Sequence, residues 1–261
     1  MPDTPGSAAI EFTDVTYRTA DGRPLLSKLN LRVMRGETLV LLGRSGSGKT
    51  TTLKLINGLL LCQEGKVIVD GKSLADWDPI RLRRHIGYAI QDVGLFPHIN
   101  VERNIGLVPR LEKWAAEKIR ARAEELLQLV GLPPAQFRAR YPNQLSGGQR
   151  QRVGLGRALA ADPPILLMDE PFGALDPLTR ADIQREFKDL QQRLKKTVVF
   201  VTHDVREAMM LATRIAVLDS GQMLGVYSPE EFLQSKDPIV SDYVGVLRTE
   251  MELFQHLENQ S

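Results

Sequence analysis

The eight residues GRSGSGKT, Gly43 to Thr50, constrain this chain more than any other stretch. They fit the pattern G-x-x-x-x-G-K-[ST]. They follow the apolar run TLVLL (Thr38 to Leu42), which reads as a buried central strand, and they precede a segment that reads as a helix from about Lys49. Strand, glycine-rich turn and helix in that order make an anion cradle. The glycines let the backbone wrap closely, so that its N–H groups and the N-terminus of the helix face phosphate oxygens. Lys49 supplies a point charge to the β- and γ-phosphates, and the Thr50 hydroxyl can ligate Mg²⁺. The candidate nucleotide-binding residues here are Gly43, Ser45, Gly46, Ser47, Gly48, Lys49, Thr50 and Thr51. Further chemistry is expected where other apolar strands end, because ligands of parallel sheets sit at the carboxyl edge.

ILLMDE (Ile165 to Glu170) is such a strand and ends in two carboxylates. Asp169 is placed to hold Mg²⁺ through its water shell. Glu170, one residue on, points differently and is the candidate to polarise an attacking water. TVVFVT ends just before His203, a candidate contact to the γ-phosphate. IGYAI (Ile86 to Ile90) ends before Gln91, a neutral side chain able to reach Mg²⁺ or the water. The catalytic candidates are therefore Glu170, His203, Lys49 and Gln91, and the metal candidates are Thr50, Gln91 and Asp169. Tyr17 closes the first strand pattern, IEFTDVTY, and could stack on an adenine; its position fits an ordinary strand aromatic nearly as well.

Strand-like runs alternate with helix-like ones, which implies a parallel, helix-covered sheet. A mostly helical block between about Val101 and Ala161 interrupts it. There AEKIRARAEELLQLV sets Ile119, Ala123, Leu126, Leu127 and Val130 on one face, and Gly131, Pro133 and Pro134 stop the helix. The 261 residues are expected to form a single domain with four parts: core and antiparallel β regions at 10–90 and 162–226, a helical insertion at 92–161, and a helical tail at 227–261. A net charge of +2 is too small to argue for nucleic acid. One cysteine, Cys62, rules out an internal disulfide and fits a reducing compartment. No apolar run is long enough to cross a bilayer and no signal pattern opens the chain, so a cytosolic protein that reaches a membrane only through a partner is expected.

LSGGQRQRV (Leu145 to Val153) narrows the class. Ser146, Gly147 and Gly148 open a helix with exposed N–H groups, a second anion-binding helix start in one chain. With this segment the sequence resembles the ATP-binding subunits of ABC transporters over nearly its whole length. The resemblance implies an α/β P-loop NTPase of the ABC ATPase type: a RecA-like, mostly parallel core sheet, an antiparallel β subdomain and an inserted helical subdomain carrying the signature. It implies that Tyr17 stacks on adenine and Gln91 forms the Q-loop. Leu145 to Gln149, with Ser146, Gly147, Gly148 and Gln149 against nucleotide, form the signature. Asp169 and Glu170 are the Walker B carboxylates, Ala174 to Asp176 the D-loop, and His203 the switch histidine. Two subunits would then sandwich two ATP molecules with Mg²⁺, most simply as a homodimer.

Three segments are similar to the osmoprotectant importers, which take up glycine betaine, choline or related quaternary amines: GLFPHINVERNIGLVPRLEKW, ARYPNQLSGGQRQRVGLGRALAADPPILLMDEPFGALDPLTR and KKTVVFVTHDVREAM. The implied partners are a second ATPase subunit, integral membrane permease subunits and, indirectly, a substrate-binding protein, at the cytoplasmic face of the cell membrane. Many such motors continue into a pair of nucleotide-like sensing domains. This sequence stops at EMELFQHLENQS, so regulation by ionic strength is expected to be absent or to reside elsewhere. A motor for another cargo keeps the same chemistry. Chromosome-type relatives need a far longer coiled coil, zinc-binding repair types need more cysteines, and a small-molecule kinase leaves LSGGQ unexplained. In QDVGLFPH (Gln91 to His98), Gly94 and Pro97 give a segment free of any ladder, able to move with Gln91. Leu95 and Phe96 read either as a contact surface for the membrane subunit or as core beneath the helical block.

Overall fold

Apolar positions near the N-terminus become two long strands, β1 (Ala8–Arg18) and β2 (Pro24–Met34), paired antiparallel. Simple alternation fails in β1 at Asp14, whose φ of +48° marks a bulge; Ile10, Phe12 and Val15 thereby all reach the core. TLVLL then forms β3 (Thr38–Leu42), buried at every position, and passes through the glycine-rich loop into α1 (Lys49–Ile56). The chain returns with β4 (Glu64–Val69) and β5 (Lys72–Ser73) to complete a four-stranded antiparallel sheet in the order β2-β1-β4-β5. The computed structural model describes residues 7–90, 93–173 and 175–258.

After α2 (Pro79–His85), capped by Asp78, the chain enters β6 (Ile86–Ala89). The helical stretch follows: α3 (Val101–Ile105), α4 (Leu107–Leu111), α5 (Ala116–Leu129), α6 (Pro134–Phe137) and α7 (Gly147–Leu159). In α5 the stripe of Ile119, Ala123, Leu126 and Leu127 is buried, as its spacing predicts. The sheet resumes with β7 (Ile165–Asp169), the long α8 (Pro177–Leu194), β8 (Thr197–Thr202), α9 (Val205–Leu211), β9 (Arg214–Asp219) and β10 (Gln222–Tyr227). Two helices close the described chain, α10 (Pro229–Gln234) and α11 (Pro238–Glu258).

The larger sheet runs β10-β9-β3-β8-β7-β6, with β10 antiparallel to β9 and the other five strands parallel. It separates two hydrophobic cores, and period-two alternation decides which residue enters which. Val40, Leu42, Met168, Phe200 and Val217 face the core shared with the helices. Leu39, Leu41, Leu167, Val201 and Leu218 face the core shared with the antiparallel sheet. On the helical side Phe172, Phe187 and Phe200 interlock, with ring centroids 5.5 to 6.2 Å apart. Truncating a buried phenylalanine of this kind costs about 3–5 kcal/mol. Among the described residues, no helix is long and apolar enough to cross a membrane. With β3, β8 and β7 adjacent and parallel, their carboxyl ends lie side by side, and the predicted site residues sit there.

Candidate nucleotide-binding and catalytic site

Two glycines make the loop after β3 possible. A Cβ on Gly43 would stand 2.2 Å from the Leu218 carbonyl oxygen and 2.6 Å from Ser47 Oγ. Gly48 takes a φ of +105° and lies so close to Leu26 that a Cβ would stand 2.6 Å from its Cδ2. Because the N-cap of α1 is this glycine, no side chain occupies the first N–H groups of the helix. Lys49 is only 5% exposed, and its Nζ donates to the carbonyl oxygens of Gly43 (2.7 Å) and Arg44 (2.9 Å), folded back across its own loop. Burial holds its pKa below the ordinary lysine value, while the charges of Glu170 and Asp169 pull it up. Ser47 Oγ is buried and unpartnered. Ser45 and Gly46 are exposed, and Thr51 is half-buried in α1.

The loop meets β7 through one hydrogen bond: Thr50 Oγ1 donates to Asp169 Oδ1 at 2.9 Å. Tyr88, on β6, stands 3.5 Å from Asp169 Oδ2. Burial, at 8% exposure, raises the Asp169 carboxyl above its usual range; the Thr50 hydrogen bond opposes the shift and the Glu170 charge adds to it. A hydroxyl and a carboxylate side by side are hard oxygen donors of the kind Mg²⁺ takes, so the residues fit the ion that the loop implies. Glu170 adopts a φ of +43°, rare for a residue with a side chain. Its N–H donates to Val201 O at 3.0 Å, and its Oε2 lies 3.2 Å from His203 Nδ1. The turned backbone therefore separates the two carboxylates: Asp169 meets the phosphate loop and Glu170 meets the histidine. Tyr17 pairs in register with Leu26, the residue that covers Gly48, which brings β1 to the rim of the loop.

Ser146 is the N-cap of α7, with Gln149 N–H donating to its Oγ at 3.3 Å and Gln149 Oε1 accepting from Ser146 N–H at 3.0 Å. Gly147 is exposed, whereas Gly148 is buried against Thr179. Among the described residues, no hydrogen bond or ion pair joins Ser146–Gln149 to the Gly43–Thr50 loop. The chain thus brings together Lys49, Thr50, Asp169, Glu170 and His203, and it leaves the second anion-binding helix start apart from them. Gln91, predicted at the metal, and Ala174, first residue of the expected D-loop, lie outside the described residues.

The segment after Gln91 differs from its expected freedom. Arg157 of α7 donates to Gly94 O at 2.8 Å and also to Val93 O. Asn104, fully buried in α3, accepts the Phe96 N–H at 2.8 Å and donates to the carbonyls of Phe96, Ile99 and Asn100. The segment is in no strand ladder but is pinned to the helices by side chains. Leu95 and Phe96 divide between the two readings: Leu95 packs against the helical core, and Phe96 is 43% exposed. Sequence reasoning also missed Tyr88, which sits inside an apolar strand and shows its role only once β6 lies beside β7.

A parallel sheet that gathers a phosphate loop, a Mg²⁺-type carboxylate and a glutamate–histidine pair at one edge defines a P-loop nucleotide-binding protein. The ABC transporter family model matches residues 26–173, more than half of the sequence, and the chain belongs to that family. It is 49% identical to the choline transport ATP-binding protein OpuBA of Bacillus subtilis over 90% of this chain and 61% of the relative. It is 50% identical to the osmoprotectant import ATP-binding protein OsmV of Salmonella typhimurium over 87% of this chain and 60% of the relative. The chain therefore spans about three fifths of the length of these curated relatives. Among solved structures, the ATP-binding cassette MJ0796, a dimer in a post-hydrolysis state bound to ADP and Pi, aligns with a TM-score of 0.75 at 37% identity, over 84% of this chain and 98% of its own.

Proposed function

We propose that this chain is the ATP-hydrolysing motor of an ABC importer whose cargo is an osmoprotectant such as glycine betaine, choline or another quaternary amine. The observation that carries the hydrolytic reading is the Glu170–His203 pair at 3.2 Å, seated beside the Thr50–Asp169 hydrogen bond. Lys49 leaves its own loop carbonyls for the β- and γ-phosphates, and the N–H groups of Gly43 to Thr51 enclose them. Thr50 and Asp169, with Gln91 as a further ligand, would hold Mg²⁺, which would supply charge neutralisation on the phosphate oxygens. Glu170 orients and polarises the attacking water, and His203 holds the γ-phosphate side of the site. Tyr17 stacks on the adenine.

Among the described residues nothing joins the second anion-binding helix start to the phosphate loop, which supports a second ATPase subunit as its occupant: Ser146, Gly147, Gly148 and Gln149 of one copy close on the nucleotide of the other. The cargo assignment is supported by the choline and osmoprotectant relatives alone, since the motor does not contact cargo. Exposed Phe96, on a segment pinned to the helices, supports the permease as a further partner and a peripheral position at the membrane.

Mg²⁺-dependent ATP hydrolysis by the purified protein, compared with Glu170→Gln, tests this reading. The variant is expected to bind ATP as the parent does and to lose about 10²–10⁴-fold in kcat, the usual contribution of a positioned base. Turnover close to the parent's would remove Glu170 from its role.

A further inference from the structure

A small polar cavity of about 40 Å³ lies behind the Glu170–His203 pair, lined by both residues and by Gly173, Arg180 and Glu207. It is large enough for a water molecule. Glu207, in α9, is 5% exposed and has no part in the chemistry described above. Its Oε2 accepts a hydrogen bond from Thr202 Oγ1 at 2.6 Å, and its Oε1 accepts one from Gln184 Nε2 of α8 at 2.8 Å. Thr202 Oγ1 in turn accepts the N–H of Asp204 at 3.0 Å. The residues on both sides of His203 are therefore tied to one carboxylate. Arg180, one helical turn before Gln184, faces the same cavity and donates through Nη2 to the carbonyls of Gly173 (3.4 Å) and Leu175 (3.2 Å). Its Nε is buried and unpartnered.

We propose that Glu207 is a positioning residue for ATP hydrolysis: by anchoring Thr202 to α8 it fixes the 202–204 backbone and so holds His203 against Glu170. The imidazole is 57% exposed and cannot fix its own orientation by packing, so the backbone on which it stands must be held from behind. Burying a carboxylate is unfavourable unless its lone pairs are used, and here they go to the switch segment and to α8. Through Arg180 the same helix face holds the carbonyls of Gly173 and Leu175, so the segments flanking the Glu170–His203 pair share one frame. The inference rests on the ATPase reading above.

Glu207→Ala removes both acceptors. At a temperature where circular dichroism shows it folded, it is expected to lose about tenfold or more in kcat, while KM for ATP and affinity for MgATP stay within about twofold. Glu207→Gln can accept from Gln184 through Oε1 and donate to Thr202 through Nε2, so it is expected to restore kcat to within about threefold of the parent. A folded Ala variant with the parent's kcat would overturn the positioning role. So would a loss of affinity that matches the loss in kcat, or a Gln variant no better than Ala. If the Ala variant does not fold, Thr202→Val carries the test: about a tenfold loss in kcat upholds the role, and a kcat like the parent's overturns it. A parent that hydrolyses no ATP overturns both readings. A parent that Glu170→Gln silences but Glu207→Ala leaves untouched overturns this one alone.

Discussion

Glu207 also shows how much one buried group can impose at the scale of a residue. Burial raises its carboxyl above the ordinary glutamate range, and the nearby Asp204 charge adds to the shift, while the hydrogen bonds from Thr202 and Gln184 and the charge of Arg180 oppose it. A folded-state pKa above the unfolded one means that the fold prefers the protonated acid. Its stability contribution is then fully present below the unfolded value and is lost as pH rises through the folded value. Glu207→Gln removes that titration. The melting temperature of the variant relative to the parent is therefore expected to climb as pH rises from about 4.3, the free glutamate value, through the raised one. Thermal unfolding across that range checks it, and a difference independent of pH would count against the shift. No sequence pattern announces this residue, because nothing in HDVREAM distinguishes a buried acid from an exposed one. Its partner Gln184, on α8, lies 23 positions away and meets it only in the fold. The loop residues, Asp169, Glu170 and His203 were legible for the opposite reason: each stands at the end of an apolar strand, where a local pattern also specifies a place in the sheet.

Among the elements, the link between β6 and α3 departs furthest from its sequence reading. Gly94 and Pro97 do break regular structure, but a break in the ladder is not freedom. Asn104 replaces the missing ladder with four hydrogen bonds to residues 96–100. Arg157 adds bonds to Val93 and Gly94 from 64 and 63 positions further on in sequence, a pairing that no periodicity encodes. Motion of this segment is thus motion of the helical elements that hold it. Asn104→Ala removes the acceptor of the part-buried Phe96 N–H and the donor to three carbonyls, at a cost of about 1–3 kcal/mol. Hydrogen exchange at the Phe96 amide is expected to speed up in the variant, with the amides of β3 and β8 unchanged. Unaltered exchange at Phe96 would show that the segment is held by something else. The regular elements are legible where a local pattern carries them: the α5 stripe by its helical spacing, and β3, β7 and β8 as continuous apolar runs buried on both faces. IEFTDVTY carries only a plain strand pattern, because the bulge at Asp14 in the eleven-residue β1 depends on pairing partners that the local pattern does not contain.

On the scale of the whole molecule, the fold spends one anion-binding loop on its own site and leaves a second helix start facing outward. Ser146 and Gln149 satisfy each other at the N-terminus of α7, so the helix is stable without a ligand. Gly147, beside them, is exposed, and a Cβ placed on it meets nothing within 4 Å. That open position allows a substitution whose effects inside the chain and between chains have opposite signs. Gly147→Asp puts a negative charge in the first turn of α7, where the helix dipole favours it by about 0.3–1 kcal/mol. The same charge repels a phosphate brought to that helix start by another copy. In the Glu170→Gln background with ATP, the unsubstituted chain is expected to reach twice the monomer mass by light scattering. Gly147→Asp is expected to stay monomeric while melting no lower and binding ATP as tightly. A dimer that persists in Gly147→Asp would mean that the two copies do not meet through α7, and the outward helix start would then need another occupant.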